Sequence, residues 1–408
     1  MVEFAARQKI EILRLPDLLD MQSIDAEIEL RPIKLEDLLQ RPPVRLDAPK
    51  IASMIRGKIV MITGAGGSIG SELARQVADL NPHSLILVDA SESALYAIKS
   101  ELSQKRRSMK IHAALCNVRE KHAVSNIVES HSPQVLFHAA ALKHVPMVEA
   151  QPLEGIFTNA IGTRNVAEAA LRAKVSKMIM VSTDKAVNPA NVMGATKRMA
   201  EMYCQALDLD SKINATRFIT VRFGNVLGSA GSVVPLFEQQ IKCGGPVTVT
   251  HPEIERFFMT IPEACLLVLQ AAAHNPAQQE ERGRIFVLDM GSPVKIVDLA
   301  RNLIRLSGRR PDTEIRIAYT GLRPGEKLYE ELFDSNETLS QTEAPGILEA
   351  NARSIERAMI VRIFDEMQRM IDAQDIQGAL RLLKSTVAEF TPGADIHLLM
   401  GRKSSTAP

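Results

Sequence analysis

The sequence predicts an α/β fold: a doubly wound parallel sheet of the Rossmann type, followed by a smaller C-terminal domain. Three observations predict it. Short apolar runs recur between residues 58 and 222, each run is followed by a helical pattern, and a glycine-rich turn joins the first run to the first helix. Strands that are apolar almost throughout are typical of parallel sheets covered by helices on both faces.

The predicted elements alternate in order along this region. The strands are expected at residues 58–63, 84–89, 110–115, 134–139, 177–182 and 216–222. The helices are expected at residues 71–80, 91–105, 121–131, 163–174 and 195–207. Because each strand is followed by a helix, consecutive strands are expected to be parallel.

Four segments are expected along the chain. Residues 1–50 form an N-terminal appendage and linker, and residues 51–228 form the dinucleotide-binding domain. Beyond residue 225 the alternation breaks, so residues 229–345 are assigned to the smaller domain, with strands at 284–289 and 315–319 and a helix at 296–306. Residues 346–408 are expected to be a helical tail, whose apolar positions suit packing on a neighbouring subunit or within the chain.

Composition excludes several classes of protein. The formal net charge is +1, so no overall field favours a nucleic-acid partner. The four cysteines form no C-x-x-C pair, and no Cys/His cluster has metal-ligand spacing, so no metal is expected. No apolar run reaches the roughly 18 residues of a spanning helix. We therefore expect a reduced, cytoplasmic setting without membrane contact for these residues.

The first predicted strand leads into a glycine turn that suits phosphate binding. Gly64, Gly67 and Gly70 are spaced as G-x-x-G-x-x-G, and the next helix opens with Ser68 and Ile69. Residues without a Cβ let the backbone approach a pyrophosphate, and a helix N-terminus supplies amide donors. A lone glycine pattern is weak evidence, but here it lies between a strand and a helix as the motif requires.

Two later strand ends extend this dinucleotide site. Asp89 ends the second strand, where a carboxylate can accept hydrogen bonds from a ribose diol and would repel a 2′-phosphate. NAD is therefore favoured over NADP. Asn117 and Val118 end the third strand, at a position where an adenine contact is often made.

Four ordered motifs give the sequence a family resemblance: TGAGGSIG (63–70), HAAA (138–141), VSTDK (181–185) and RFGNV (222–226). Together they resemble the extended short-chain dehydrogenases/reductases. More narrowly, they resemble the UDP-N-acetylglucosamine 4,6-dehydratases of polysaccharide biosynthesis, in their long, membrane-tethered branch. The resemblance covers about residues 32–332.

The resemblance implies a reaction, a cofactor and a substrate. Family members oxidise the C4 hydroxyl of a UDP-hexosamine with NAD, eliminate water across C5 and C6, and return the hydride to C6. This order is chemically necessary, because a C5–H bond is too weakly acidic to break before a neighbouring ketone can take the charge. The product, a 4-keto-6-deoxy sugar, serves surface polysaccharides such as O-antigen or capsule.

The resemblance also assigns catalytic roles. Asp184 would be the acid that protonates the departing C6 oxygen, and Lys185 the base that removes the C5 proton. Lys197 would bond the nicotinamide ribose. The sequence departs from the superfamily at Met193, where a tyrosine normally precedes that lysine by four residues, and a thioether cannot shuttle a proton. The base for the C4 hydroxyl is left open among Thr183, Asp184, Lys185 and a water held by Lys197.

Further contacts are implied on both sides of the site. Ala139, Ala140 and Asn159 are expected on the cofactor side, and Lys143 beside the sugar or a phosphate. The remaining substrate contacts are expected from Asn225 and Val233 near the uridine, from Arg256 and Arg323 at the phosphates, and from Glu326 at a ribose hydroxyl.

Alternatives to the dehydratase remain at this point. A UDP-sugar 4-epimerase of the same fold is one, although Met193 counts against it because epimerases rely on the missing tyrosine. A non-catalytic NAD sensor or scaffold, or a degenerate domain, is another.

Residues 32–41 resemble the stretch before the catalytic domain in the long family members. We therefore expect a homo-oligomer whose full-length form is anchored in the inner membrane with this part facing the cytoplasm.

Overall fold

The computed structural model describes residues 13–14, 31–32, 46–210, 216–274, 282–334 and 337–401. Its contacts divide the chain into two compact units. The larger unit takes the described residues of 44–224, 261–290 and 323–408, and the smaller unit takes 225–260 and 291–322. Most of the predicted appendage, residues 1–50, and the end of the tail after residue 401 lie outside the described residues.

A nine-stranded sheet forms the centre of the larger unit. Its order is β3-β2-β1-β4-β5-β6-β7-β9-β8, parallel from β3 to β7 and antiparallel from β7 to β8. The strands are β1 Ile59–Thr63, β2 Ser84–Asp89, β3 Lys110–Leu115, β4 Val135–His138, β5 Lys177–Val181, β6 Arg217–Arg222, β7 Ile285–Leu288, β8 Thr338–Gln341 and β9 Ile347–Asn351.

This sheet confirms the predicted fold class and corrects two assignments. The strand at 285–288 was expected in the smaller domain, but β7 pairs with β6 and extends the main sheet. The start of the tail was expected to be helical, but β9 is a strand. It pairs with β7 on one side and β8 on the other, and this pairing overrides the helix propensity of its residues. Residues 261–290 and 323–345 consequently lie in the larger unit.

Helices cover the sheet of the larger unit. The helix expected at residue 71 begins at residue 68, directly after the glycine turn, and the helix expected at residue 163 continues a π-helix, Ile156–Ile161. The helices are α1 Ala48–Ile55, α2 Ser68–Asp79, α3 Glu92–Lys105, α4 Lys121–His131, α5 Val145–Ala150, α6 Pro152–Gly155, α7 Gly162–Arg172, α8 Val192–Leu209, α9 Ile261–Ala273, α10 Arg357–Asp372, α11 Ile376–Thr386 and α12 Ala394–Gly401.

Helix α8 is enclosed within the larger unit, since every residue from 192 to 208 is buried. Helices α10 and α11 of the tail pack against it and share its apolar cluster. The Tyr203 and Phe364 rings, for example, lie with their centroids 4.6 Å apart. The apolar positions of the tail therefore pack within the chain.

The smaller unit has its own apolar core, which includes Phe237, Val249 and Ile304. Two helices, Val233–Lys242 and Ile296–Leu306, lie among short strand pairs. These pairs are Val247–Val249 with Ile317–Tyr319, Glu255–Arg256 with Val294–Lys295, and Asn225–Val226 with Phe258–Met259. A further two-residue pair joins Leu13–Arg14 to Arg31–Pro32. Within the described parts of the chain, no helix is both long enough and apolar enough to cross a bilayer.

Candidate active site

The glycine turn after β1 leaves no room for side chains. Gly64 has a φ of +69°, and a Cβ there would lie 2.6 Å from the backbone nitrogen of Ala140. A Cβ on Gly70 would lie 1.9 Å from the carbonyl oxygen of Gly64. Gly67 caps α2, so the amides of the first turn, at Ser68 and Ile69, begin at the mouth of the turn. This cradle fits a pyrophosphate group.

Asp89 holds the glycine turn in place. One carboxylate oxygen accepts from the amide of Gly66 and the other from the amide of Ser91, both at 2.8 Å. The sequence predicted a ribose contact for this carboxylate, and that role stays a prediction. In the structure the same side chain also has a structural role, because its hydrogen bond to Gly66 connects the end of β2 to the cradle.

Asn117 and Val118, which are expected beside the adenine, both make contacts within the larger unit. The Asn117 side-chain oxygen accepts from the amide of Arg119 at 3.1 Å. Val118 is buried and packs against Gly162, where a Cβ would lie 2.8 Å from the valine methyl group. The adenine role of both residues therefore stays a prediction, and the structure shows a packing role for Val118.

A buried chain of hydrogen bonds, which no sequence pattern predicts, starts at Thr63 at the end of β1. His138 Nδ1 lies 2.7 Å from the Thr63 hydroxyl, and its Nε2 lies 3.0 Å from the Thr163 hydroxyl. Because the Thr163 hydroxyl donates to the Asn159 carbonyl at 2.6 Å, it accepts from His138, which fixes the proton on Nε2. Burial, with the charge of Lys197, lowers the pKa of His138 to about 3.

The Asn159 side chain connects these hydrogen bonds to the loop after β4. Its side-chain oxygen accepts from the Leu142 amide at 2.8 Å, and its amide nitrogen donates to the Leu142 carbonyl at 2.9 Å. The same nitrogen donates to Thr196, the neighbour of Lys197, at 3.1 Å. Asn159 therefore fixes the loop that begins with Ala139 and Ala140 and carries the exposed Lys143.

The predicted catalytic group lies just beyond the end of β5. Asp184 is fully buried, and its Oδ1 accepts from the Thr183 hydroxyl at 2.9 Å and from Lys185 Nζ at 3.0 Å. Its Oδ2 is buried with no hydrogen-bond partner among the described residues. The Lys185 side chain is 17% exposed. The structure thus brings a carboxyl group with one unused acceptor beside a partly accessible amine.

Helix α8 packs its first turn onto this group. A Cβ on Gly194 would lie 2.0 Å from the Lys185 carbonyl oxygen, so only glycine allows the approach. Lys197 is buried and donates to the Val181 carbonyl at 2.8 Å, and burial lowers its pKa to about 8. Met193, one turn before Lys197, is 3% exposed and packs in the core.

A segment distant in sequence, residues 325–331, lies along the loop that follows Lys185. Gly325 accepts from the Asn191 side chain at 2.9 Å, and Lys327 Nζ donates to the Val187 carbonyl at 3.3 Å. Closer to the predicted catalytic group, Glu330 places Oε1 3.8 Å from Lys185 Nζ, with a side chain only 4% exposed. The sequence did not indicate Glu330.

A buried ion cluster supports the same loop from below. The Arg222 guanidinium, 0% exposed, donates to both oxygens of Glu201 at 2.9 and 2.8 Å and to both oxygens of Glu337. Glu201 also accepts from the Ser182 hydroxyl at 2.6 Å. Since Ser182 directly precedes Thr183, the cluster fixes the backbone that presents the predicted catalytic group.

The predicted substrate contacts are divided between the two units. Arg323 and Glu326 share one turn of the larger unit, where the Glu326 carboxylate accepts from the Arg323 amide at 3.0 Å. In the smaller unit, Arg256 is buried and donates to the Glu255 carbonyl at 2.7 Å. Asn225 and Val233 also belong to the smaller unit. Their roles toward a substrate stay predictions.

A mainly parallel sheet in this order, with a glycine cradle after β1 and a lysine-bearing helix beside the β5 end, defines an extended short-chain dehydrogenase/reductase. The chain belongs to the family described as "Polysaccharide biosynthesis protein", whose profile matches residues 60–352. This confirms the family resemblance predicted from the sequence motifs, at the level of the family.

Similar proteins carry polysaccharide-biosynthesis names. "Capsular polysaccharide biosynthesis protein CapD" of Staphylococcus aureus is 51% identical over 330 residues, 80% of this chain and 54% of that protein. "Probable polysaccharide biosynthesis protein EpsC" of Bacillus subtilis is 46% identical over 370 residues, 90% of this chain and 60% of that protein. The chain therefore spans less than two thirds of the length of these relatives.

A solved structure agrees with the fold. The X-ray structure of Pen from Bacillus thuringiensis matches with a TM-score of 0.67 at 33% identity, covering 74% of this chain and 92% of that one. The agreement supports the extended short-chain dehydrogenase/reductase architecture for most of the described residues.

Proposed function

We propose that this chain is a nucleotide-sugar 4,6-dehydratase that removes water from UDP-N-acetylglucosamine or a close UDP-hexosamine. One observation carries the proposal: at the β5 end, Asp184 keeps a buried carboxyl oxygen with no partner among the described residues, and its other oxygen contacts Lys185 Nζ at 3.0 Å. An elimination across C5 and C6 needs an acid and a base at adjacent carbons, and this pair supplies both.

A nicotinamide dinucleotide, NAD in preference to NADP, fits the residues of the larger unit. The cradle of Gly64, Gly67 and Gly70 would hold its pyrophosphate, Asp89 its adenosine ribose, and Lys197 its nicotinamide ribose. When bound, it would supply reversible oxidation at C4 of the sugar and return the reducing equivalent at C6. The remaining steps are proton transfers, which fall to the side chains of the chain.

The Asp184–Lys185 pair is able to complete a cycle of proton transfers. A shift of one proton along the 3.0 Å contact turns an ion pair into a carboxylic acid and a neutral amine. In that form Lys185 accepts the C5 proton, and Asp184 then donates its proton to the C6 oxygen, which leaves as water. When the hydride returns to C6, Lys185 gives a proton back to C5. The proton released from the C4 hydroxyl replaces the one that Asp184 lost, so the proton count closes.

The proton of the C4 hydroxyl requires a different acceptor from the usual tyrosine. Met193 is buried in the core and has no group that accepts a proton at neutral pH. The candidate acceptors of this proton are Thr183, Asp184, Lys185 and a water held by Lys197. This departure favours a dehydratase, because an epimerase depends on that acceptor for proton transfer in both directions.

A UDP-sugar 4-epimerase is the second candidate, and one observation favours it. "UDP-glucose 4-epimerase" of Rickettsia canadensis is 37% identical over 292 residues, 70% of this chain and 80% of that protein. An epimerase would bind the same nucleotide sugar but would have no use for an acid–base pair at C5 and C6.

Mass spectrometry separates the two candidates. The purified protein is incubated with UDP-N-acetylglucosamine and NAD, and the nucleotide-sugar products are weighed. The proposal predicts a product lighter than the substrate by one water. A product with the mass of the substrate and changed configuration at C4 would establish the epimerase, and bound nucleotide without turnover would favour a non-catalytic role.

A further inference from the structure

We propose that Glu330 is the positioning residue of Lys185: its carboxylate orients the amine and stabilises the positive charge that Lys185 gains when it takes the C5 proton. The inference rests on the proposed function, since it concerns the same proton transfer. It adds a residue that lies 145 positions along the chain from Lys185 and that no motif of the β5 end contains.

The geometry places the Glu330 carboxylate close to the Lys185 amine. Lys185 Nζ has the Asp184 carboxyl at 3.0 Å and the Glu330 carboxylate at 3.8 Å. The two acidic side chains are 0% and 4% exposed, so both are shielded from bulk water. A charge contact in such surroundings is screened far less than one on the surface.

The charges of the three groups explain why a second carboxylate is needed. Until Asp184 gives its proton to the C6 oxygen it is neutral, so in that interval it offers Lys185 no negative charge. An amine that takes a proton in a buried site then needs another counter-ion. Glu330, whose Oε1 lies 3.8 Å from Lys185 Nζ, can provide it. Its role resembles that of the acid that orients the base in other enzymes.

Contacts of other residues also hold the segment that carries Glu330. The Gly325 carbonyl accepts from the Asn191 side chain at 2.9 Å, and Lys327 Nζ donates to the Val187 carbonyl at 3.3 Å. A Cβ on Gly325 would lie 2.8 Å from the Asn191 Cβ, so the segment approaches the loop closely at this point. Glu330 can therefore change while these anchors hold the segment against the loop.

The test compares three variants of the full chain with bound NAD: Glu330→Gln, Glu330→Asp and the matched control Glu331→Gln. Glu331 is the adjacent acid, 48% exposed and also near a lysine. Turnover of UDP-N-acetylglucosamine is measured with ordinary substrate and with substrate deuterated at C5. A larger C5 isotope effect on kcat shows that proton removal at C5 has become slower relative to the other steps.

We expect Glu330→Gln to lower kcat by about tenfold to a hundredfold, with little change in KM and a larger C5 isotope effect. Glu330→Asp keeps the charge and should recover part of the rate, and Glu331→Gln should match the wild type in both measurements. Reduced nicotinamide, followed by its near-ultraviolet absorbance, should accumulate during turnover in Glu330→Gln because elimination lags behind oxidation.

Two results would overturn the inference. The first is a Glu330→Gln protein as fast as the wild type. The second is a slow Glu330→Gln protein whose C5 isotope effect equals that of the wild type, because slow turnover from altered folding or binding leaves that effect unchanged. Both are distinct from failure of the proposed function, in which the wild type itself releases no water from the substrate.

Discussion

The glycine cradle and the loop that carries Asp184 and Lys185 are fixed by different kinds of contact. In the cradle the decisive distances are close backbone approaches, between near neighbours such as the Gly67 amide and the Gly64 carbonyl at 3.1 Å, and between Gly64 and Ala140. The loop is held by residues far along the chain, for example Gly325, 134 positions from Asn191. The cofactor side is thus fixed mainly by backbone sterics, and the proton-transfer side by side-chain packing and buried charge.

The largest effect should come from the proton-transfer side itself. Lys185→Met removes the proposed base, so we expect kcat to fall by about 10²–10⁴-fold while the protein still binds nucleotide. Steady-state turnover and dinucleotide binding are measured on the same sample. Lys327→Met, in the segment that flanks the loop, is the control and should lose far less. Equal losses in the two variants would mean that Lys185 acts only through packing.

The next effect concerns the ion cluster beneath the loop. Arg222→Met removes the guanidinium that pairs with both Glu201 and Glu337, although Glu201 keeps Arg198 at 3.3 Å, so unfolding free energy should fall by about 3–5 kcal/mol. Arg301→Met removes an exposed pair with Asp298 and should cost at most about 1 kcal/mol. Denaturant titrations of both variants measure the difference. A small loss in Arg222→Met would show that the cluster does not hold the loop.

A smaller effect is expected in the cradle, where one added methyl group decides the outcome. Gly70→Ala would place a Cβ 1.9 Å from the Gly64 carbonyl oxygen, so we expect a loss of about 1–3 kcal/mol in stability and weaker dinucleotide binding. Gly67→Ala would place its Cβ 3.3 Å from the same carbonyl oxygen, so the loss of stability should be smaller. Thermal unfolding with and without NAD compares the stability and NAD binding of the two variants. A larger loss in Gly67→Ala than in Gly70→Ala would contradict the close approach at Gly70.

This contrast explains which parts the sequence could predict. The strands β1 to β6, the glycine turn and the positions of Asp184 and Lys185 follow from local patterns and ordered motifs. The bond between His138 and Thr63, the position of Glu330 and the placing of β7 in the main sheet depend on partners distant along the chain. No periodicity or short motif encodes such contacts, and helix propensity misassigned β9 because sheet pairing is a tertiary effect.

The last expected effect is a gradual pH dependence that originates at the buried His138. The pKa of His138 is about 3 in the folded protein, against 6.5 when unperturbed, because burial disfavours its charged form. The unfolded chain therefore takes up a proton that the folded protein refuses. The resulting stability is complete above pH 6.5 and is lost as pH falls toward 3, at no more than about 1.4 kcal/mol per pH unit.

Denaturant titrations of the wild type and His138→Gln across this range isolate the contribution of His138. We expect the difference in unfolding free energy between the two proteins to change with pH below 6.5 and to be constant above it. A difference that stays constant throughout would mean that His138 is not held neutral by its buried hydrogen bonds.

The most direct test of the account follows the hydrogen at C5 of the sugar. The wild-type protein converts UDP-N-acetylglucosamine in deuterium oxide, and the product is examined by mass spectrometry and proton NMR. If Lys185 removes the C5 proton, the product has lost one water and carries deuterium at C5. A product that keeps the original hydrogen at C5 would contradict the proposed role of Asp184 and Lys185.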